Sequence, residues 1–163
     1  MKKMLVLLGV LLICSLSLVA CGESDKEFYD KATEYENNFL NTFNPIWTGS
    51  YEKIPEIDTF NNDYREEIIG NLDKLSDDLD EQKNKASEDK ELNNFSETYV
   101  KYLTDTLSYA KEAVIELKAQ VSVKGANSLD DDNFKQDMIK IKQKIEDSLE
   151  KTQNFSEEYK DSK

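Results

Sequence analysis

The chain has 163 residues, with 34 acidic and 21 basic side chains, no histidine and a formal charge of −13. A chain this acidic repels the phosphates of nucleic acid, so we expect no nucleic-acid partner. The missing histidine removes the usual general base at neutral pH and the imidazole ligands of zinc and copper sites. We therefore predict that the protein is not an enzyme, holds no metal or cofactor and acts on no small-molecule substrate.

The first residues combine a basic start with an apolar run that ends at a cysteine. Lys2 and Lys3 precede an apolar stretch at residues 4–18. Fifteen residues are too few to span a bilayer comfortably as a permanent helix, which needs ~20. The stretch closes with "LVAC" at residues 18–21, and this segment resembles the lipobox of bacterial lipoproteins. An ordinary signal sequence or anchor helix with a chance cysteine is the alternative.

The lipobox resemblance implies a processed and lipidated protein. In that family the cysteine thiol receives a diacylglyceryl group, and signal peptidase II then cleaves just before it. Carried onto this chain, residues 1–20 are a signal peptide and Cys21 is the lipidated first residue. Residues 21–23 then form a short tether, and residues 24–163 form a single domain. The implied location is the extracytoplasmic face of the cell membrane, with the acyl chains as the anchor.

Cleavage before Cys21 leaves a still more acidic protein. It removes two lysines and no acidic residue. The remaining chain has 19 basic and 34 acidic residues, which gives a formal charge of −15. Such a domain is repelled by anionic lipid headgroups. Lipidation also uses the sulfur of the one remaining cysteine, so no disulfide can form within the domain. The usage of many lysines and asparagines with a single arginine, Arg65, favours a Gram-positive envelope.

Apolar residues at three- and four-residue spacing predict helices along the whole mature chain. A first, shorter helix opens with a capping box at Ser24 and Glu27 and ends at residues 44–45. A second helix starts near residue 57, with Gly70 as a point where it could kink. Residues 84–90 form a polar loop. The apolar residues that predict the third and fourth helices lie at residues 92–121 and 134–159. The predicted fold is all-α: an elongated antiparallel bundle of three long helices plus a shorter N-terminal helix.

The third helix has a wider apolar face than one neighbour requires. The extra apolar residues are Tyr102, Leu107, Tyr109 and Val114. We expect this helix to be central and to touch two neighbours, with a partner-binding strip as the alternative.

Two acidic clusters, at residues 77–82 and 130–134, are candidates for calcium-binding loops. An EF-hand loop needs a glycine at its sixth position and a glutamate at its twelfth. Counted from Asp78 and Asp130, the sixth residues are Lys83 and Lys135. We therefore predict no specific metal site in either cluster.

Three aromatic residues are candidates for partner contact. Trp47 is the only tryptophan and lies in the predicted loop after the first helix, where it either covers the bundle end or anchors a partner. Tyr99 and Tyr159 end two related hexapeptides, "NFSETY" and "NFSEEY". If the third and fourth helices are antiparallel, both copies lie at one pole, where Leu79 also arrives. The aromatic rings there either close the core or form a contact patch.

These observations predict a membrane-anchored surface lipoprotein that acts as a helical protein–protein interaction or adaptor module. Its partners are the membrane, through the lipid, and an unknown envelope protein. One alternative is an exclusion or immunity lipoprotein that blocks phage or conjugative entry. A solute-binding accessory lipoprotein is less favoured, because such receptors are usually longer and two-lobed.

Overall fold

The computed structural model describes residues 22–47, 62–123 and 132–160, and these residues are almost entirely helical. The helices are α1 (Gly22–Trp47), α2 (Asn62–Glu88), α3 (Lys90–Phe95), α4 (Glu97–Val123) and α5 (Asp132–Glu157). No strand occurs within the described ranges. The predicted all-α class is confirmed. The predicted signal peptide and Cys21 lie outside the described residues.

The prediction of a shorter first helix is wrong. α1 has 26 residues, as many as α5, while α2 and α4 have 27 each. It starts at Gly22, inside the predicted tether, and continues through Pro45 to Trp47. Pro45 has no N–H to donate to the carbonyl of Asn41, so one helical hydrogen bond is missing, and only two helical residues follow it. Ile46 and Trp47 pack against the core, and this contact holds the last turn in place.

α2 is continuous where the sequence suggested interruptions. It passes through Gly70, which is exposed and has no atoms close to the position of a Cβ. Ile68, Leu72 and Leu75 bury the opposite face of the helix on both sides of that glycine. The helix also covers residues 84–88 of the predicted loop, since buried Ala86 continues the same apolar face two turns beyond Leu79.

The predicted third helix is divided in two at Ser96. Ser96 has extended backbone angles (φ −156°, ψ 105°), and its N–H donates to the carbonyl of Leu92. Its hydroxyl accepts a hydrogen bond from the N–H of Tyr99 at 3.1 Å. Ser96 therefore ends α3 and caps α4. Asp89 caps the start of α3 by accepting from the N–H of Leu92 at 3.0 Å.

The central position predicted for the third helix is confirmed for α4. α4 packs extensively on both α2 and α5. Towards α2, Lys111 pairs with Asp80 and Lys118 pairs with Asp73, so residue numbers rise along one helix as they fall along the other. The wide apolar face of α4 therefore serves two neighbouring helices.

The packing of α5 on α4 includes a buried polar pair. Thr106 Oγ1 donates to Ser148 Oγ at 2.9 Å, and Ser148 in turn donates to the carbonyl of Tyr102 at 3.1 Å. Further along α4, Glu112 pairs with Lys144 of α5 at 3.2 Å. Residue numbers again run in opposite directions along these two helices.

α1 completes the bundle by packing on the outer helices. Gln82 of α2 donates to Thr42 at 3.1 Å, and Tyr35 donates to Asp89, the cap of α3, at 3.0 Å. α1 also contacts α5. Within the described residues, no helix is both long and apolar enough to cross a bilayer.

Candidate interaction surfaces and a buried carboxyl group

The two hexapeptide copies meet at one end of the bundle, as predicted from the sequence. Phe95 and Tyr159 lie 4.9 Å apart between ring centroids, and Tyr99 and Phe155 lie 6.2 Å apart. Phe28 completes this group of five rings, which we call the aromatic pole. The shared-pole prediction is therefore confirmed for the four predicted aromatic residues.

Phe28 lies at the centre of the aromatic pole, although it belongs to neither hexapeptide. Its ring stacks on Phe95 at 3.9 Å with an interplanar angle of 9°. It also makes edge contacts with Tyr99 at 5.1 Å and Tyr159 at 5.0 Å. The signal was present in the sequence, because Phe28 is the first member of the apolar stripe of α1.

Leu79 does not belong to the aromatic pole, so that part of the prediction is wrong. It lies beside Leu107 and Lys111, near the middle of α4. The physical reason is the length of α2, which continues for nine residues beyond Leu79 before it ends at Glu88.

Burial at the aromatic pole favours core closure over a contact patch. Tyr99 is 0% exposed, so in the folded domain it offers no surface to a partner. Phe95, Phe155 and Tyr159 are half-buried and pack against the core. Burial, followed by the charges of Glu158 and Asp25, raises the pKa of Tyr159. Of the two predicted tyrosine contacts, only Tyr159 reaches solvent.

Next to the aromatic pole, a buried carboxyl group joins three helices. Glu36 of α1 is 7% exposed. Its Oε1 accepts from Tyr99 Oη of α4 at 3.1 Å and from Ser156 Oγ of α5 at 2.8 Å. Burial raises the pKa of Glu36, and the charge of Glu157 adds to this, while the two hydroxyl donors act in the opposite direction. The phenol pKa of Tyr99 is also raised, by burial first and then by the neighbouring Glu36.

An ion-pair network beside Glu36 ties α1 to the junction between α2 and α3. Lys31 lies 2.8 Å from Asp89 and 2.7 Å from Glu91. Burial acts to lower the pKa of Lys31, but hydrogen bonds to these two carboxylates raise it above its ordinary value. Burial and the hydrogen bond to Asp89 raise the pKa of Tyr35 to about 12. Lys31 is therefore already engaged by carboxylates other than Glu36.

At the other end of α1, an apolar groove of about 290 Å³ opens between α1 and α5, and we call it the α1–α5 groove. Its apolar lining comes from three helices: Phe39, Leu40, Phe43 and Trp47 of α1, Ala113 of α4, and Met138, Ile139, Ile145 and Leu149 of α5. The Trp47 ring stacks on Phe43 at 5.3 Å, so it is held in a fixed position at the groove wall. Ile139 is 67% exposed, the largest exposure of a large aliphatic side chain among the described residues.

The α1 side of this groove has no charge. Residues 37–47 contain no acidic or basic side chain, although 34% of the whole chain is charged. Asn37, Asn38, Asn41 and Asn44 are exposed along this part of the helix. On the α5 side, Lys142 and Glu146 pair with each other at 3.7 Å. The groove thus has one uncharged wall and one wall whose single lysine and single glutamate are paired, on a strongly acidic protein, and Trp47, a predicted contact residue, is part of it.

The described residues hold no group of three or more histidine, cysteine or carboxylate side chains placed to bind a metal ion. The acidic cluster at residues 77–82 lies on α2, where Asp80 pairs with Lys111. The cluster at residues 130–134 lies partly outside the described ranges.

No family model, no curated protein and no solved structure matches this chain.

Proposed function

We propose that this protein is a membrane-anchored surface lipoprotein that binds an envelope protein through the α1–α5 groove. The observation that supports the proposal most directly is an exposed apolar groove, lined by Trp47 and without charge on its α1 side, on a protein of formal charge −13. Exposed apolar surfaces with a fixed aromatic side chain are typical of protein-binding sites. The lipobox resemblance at Cys21 supports the location on the extracytoplasmic face.

The proposed architecture is an antiparallel bundle of α1, α2, α4 and α5, with α3 closing one end. In that arrangement the groove and the lipid attachment lie at opposite ends of α1. Gly22 follows Cys21 directly, and Trp47 lies about 37 Å further along at ~1.5 Å per residue. α1 thus acts as a spacer that holds the groove away from a bilayer whose anionic headgroups repel the domain.

The partner that fits this groove is an apolar face of a helix with little charge. An apolar helix face can enter a groove between two helices and bury aromatic and aliphatic side chains there. The exposed asparagines of α1 offer both donors and acceptors to a polar rim of the partner. Binding an envelope protein through this groove could also serve an exclusion or immunity role, in which the protein blocks phage or conjugative entry.

Site-specific photo-crosslinking in intact cells tests this proposal. A photoreactive phenylalanine derivative replaces Ile139 at the groove in one strain and Ile115 in another. Ile115 is the matched control, because it is 54% exposed and lies on α4 between the clefts that face α2. We expect one defined crosslinked envelope protein from position 139 and none from position 115. Equal crosslinking at both positions, or none at position 139, contradicts the proposed role of the groove.

A further inference from the structure

The two hydroxyl groups that contact the Glu36 carboxyl group have fewer hydrogens than there are acceptor oxygens within their reach. Tyr99 Oη has one hydrogen and two acceptors within reach, the carbonyl of Ala32 at 2.9 Å and Glu36 Oε1 at 3.1 Å. Ser156 Oγ also has one hydrogen and two acceptors, Glu36 Oε1 at 2.8 Å and the carbonyl of Gln153 at 3.0 Å. When Glu36 is ionised, two hydrogens serve four oxygen–oxygen contacts.

A proton on Glu36 changes this distribution. The carboxyl O–H then becomes a third donor, and both hydroxyl groups are free to donate to the backbone carbonyls. The carboxyl group also loses the charge that burial disfavours. The protonated cluster therefore satisfies its polar groups better than the ionised cluster does.

The other groups around Glu36 do little to stabilise its negative charge. Glu157 of α5 carries a like charge and opposes ionisation. Lys31, which lies earlier on α1, is paired with Asp89 and Glu91. The donors to the carboxylate are therefore two neutral hydroxyl groups, one from α4 and one from α5.

We propose that Glu36 is a proton-operated latch, which holds α1 on α4 and α5 when protonated and loosens that hold when ionised. The contribution is complete at pH values below the ordinary carboxyl pKa of 4.5 and is lost as the pH rises through the higher pKa of the folded protein. Mild acidity therefore tightens the attachment of α1.

The latch also lies next to the α1–α5 groove. Phe39 and Leu40, which line the groove, follow Glu36 by three and four residues and share its side of α1. Loosening α1 at Glu36 therefore changes the inner end of the groove. This consequence rests on the proposed function, whereas the latch itself requires no partner and is tested without one.

The test compares the full-length chain, purified as cells make it, with two variants that each lose one negative charge. Glu36→Gln keeps the shape and neutrality of the protonated side chain. Glu34→Gln is the matched control, because Glu34 is exposed on the same helix. Thermal unfolding and hydrogen exchange of α1 amides, corrected for intrinsic exchange, are followed from about pH 5 to about pH 8.

We expect the melting temperature and the α1 protection of the wild type to fall with rising pH relative to Glu36→Gln. The difference should be small at the acidic end and grow steadily towards the alkaline end, while Glu34→Gln follows the wild type. Parallel pH profiles for the wild type and Glu36→Gln overturn the latch. A loss of protection that affects α2 and α1 equally also overturns it, because the latch acts on α1.

A second variant keeps the proposal testable if Glu36→Gln does not fold. Ser156→Ala removes one donor to the carboxylate, so ionisation becomes harder and α1 should loosen at a higher pH than in the wild type. An unchanged pH of loosening in Ser156→Ala contradicts the latch. Crosslinking at position 139 is measured separately, so a failure of the latch and a failure of groove binding give different results.

Discussion

Ser156 Oγ lies 2.8 Å from Glu36 Oε1, and this hydrogen bond joins residues 120 positions apart in the chain. It ties the last turns of α5 to α1, beside the aromatic pole. Tyr99 reaches the same oxygen from α4, so three helices share one carboxyl group. The polar cluster and the aromatic pole therefore act together in closing this end of the bundle.

The first prediction separates core closure from partner contact at the aromatic pole. Tyr99→Ala removes a fully buried ring, so we expect a loss of about 3–5 kcal/mol in the free energy of unfolding. Tyr99→Phe keeps the ring and removes only the hydroxyl, so it should cost about 1–2 kcal/mol. Denaturant unfolding of both variants measures the two contributions.

Tyr159→Ala provides the comparison, because Tyr159 is half-buried at the same pole. We expect it to destabilise the domain less than Tyr99→Ala does. If Tyr159→Ala abolishes crosslinking to a partner at unchanged stability, the pole is a contact surface after all. If Tyr99→Ala leaves the stability unchanged, core closure is wrong.

The second prediction concerns Ser96, which divides α3 from α4. Ser96→Ala removes the side-chain acceptor for the N–H of Tyr99, so we expect a loss of about 1 kcal/mol. Ser87→Ala is the control, because Ser87 is exposed and its hydroxyl donates to the Lys83 carbonyl within α2. The melting temperature should fall for Ser96→Ala and change little for Ser87→Ala. Equal shifts of the melting temperature in the two variants would show that the Ser96 hydroxyl does not stabilise the fold by the amount expected of a helix cap.

The sequence was sufficient for the helical class, for the central helix and for the meeting of the two hexapeptides, because each depends on apolar periodicity. It was not sufficient for the helix ends. The continuation of α1 through Pro45 depends on tertiary contacts of Ile46 and Trp47, which no local pattern reports. The break at Ser96 depends on one residue with extended backbone angles in a stretch whose apolar spacing continues undisturbed.

The candidate site shows the same division between local pattern and tertiary contact. Trp47 could be selected from the sequence because it is the only tryptophan. The α1–α5 groove could not, because it depends on how far apart α1 and α5 lie. Glu36 could not be selected from the sequence, because only its burial between three helices distinguishes it from the other acidic residues among the 34 in the chain.

The third prediction is that salt stabilises the fold. The proposed cleavage before Cys21 would leave a domain with a formal charge of −15, whose carboxylates repel one another. Raising the salt concentration from about 20 mM to about 0.5 M shortens the Debye length several-fold and screens this repulsion. Circular dichroism should show a helical spectrum without added metal and a higher melting temperature at the higher salt concentration.

Two results would contradict this prediction. A random-coil spectrum at moderate salt would mean that packing does not overcome the charge of the chain. A melting temperature that falls with salt would mean that ion pairs such as Lys31–Asp89 outweigh the net repulsion. Sodium chloride and potassium chloride should act alike, because screening depends on ionic strength and not on the identity of the cation.

The last prediction tests the anchor, and the chain supplies its own control in its second cysteine. Cys21→Ala removes the thiol that the lipobox resemblance assigns to the diacylglyceryl group, whereas Cys14→Ala removes a cysteine within the apolar stretch at residues 4–18. Cells grown with a labelled fatty acid should incorporate label into the wild type and Cys14→Ala, and not into Cys21→Ala. Because cleavage in that family follows lipid attachment, Cys21→Ala should also accumulate as a precursor about 2 kDa heavier, since 20 residues are retained. Normal labelling of Cys21→Ala, or loss of label from both variants, contradicts the assignment of Cys21 as the lipidated residue.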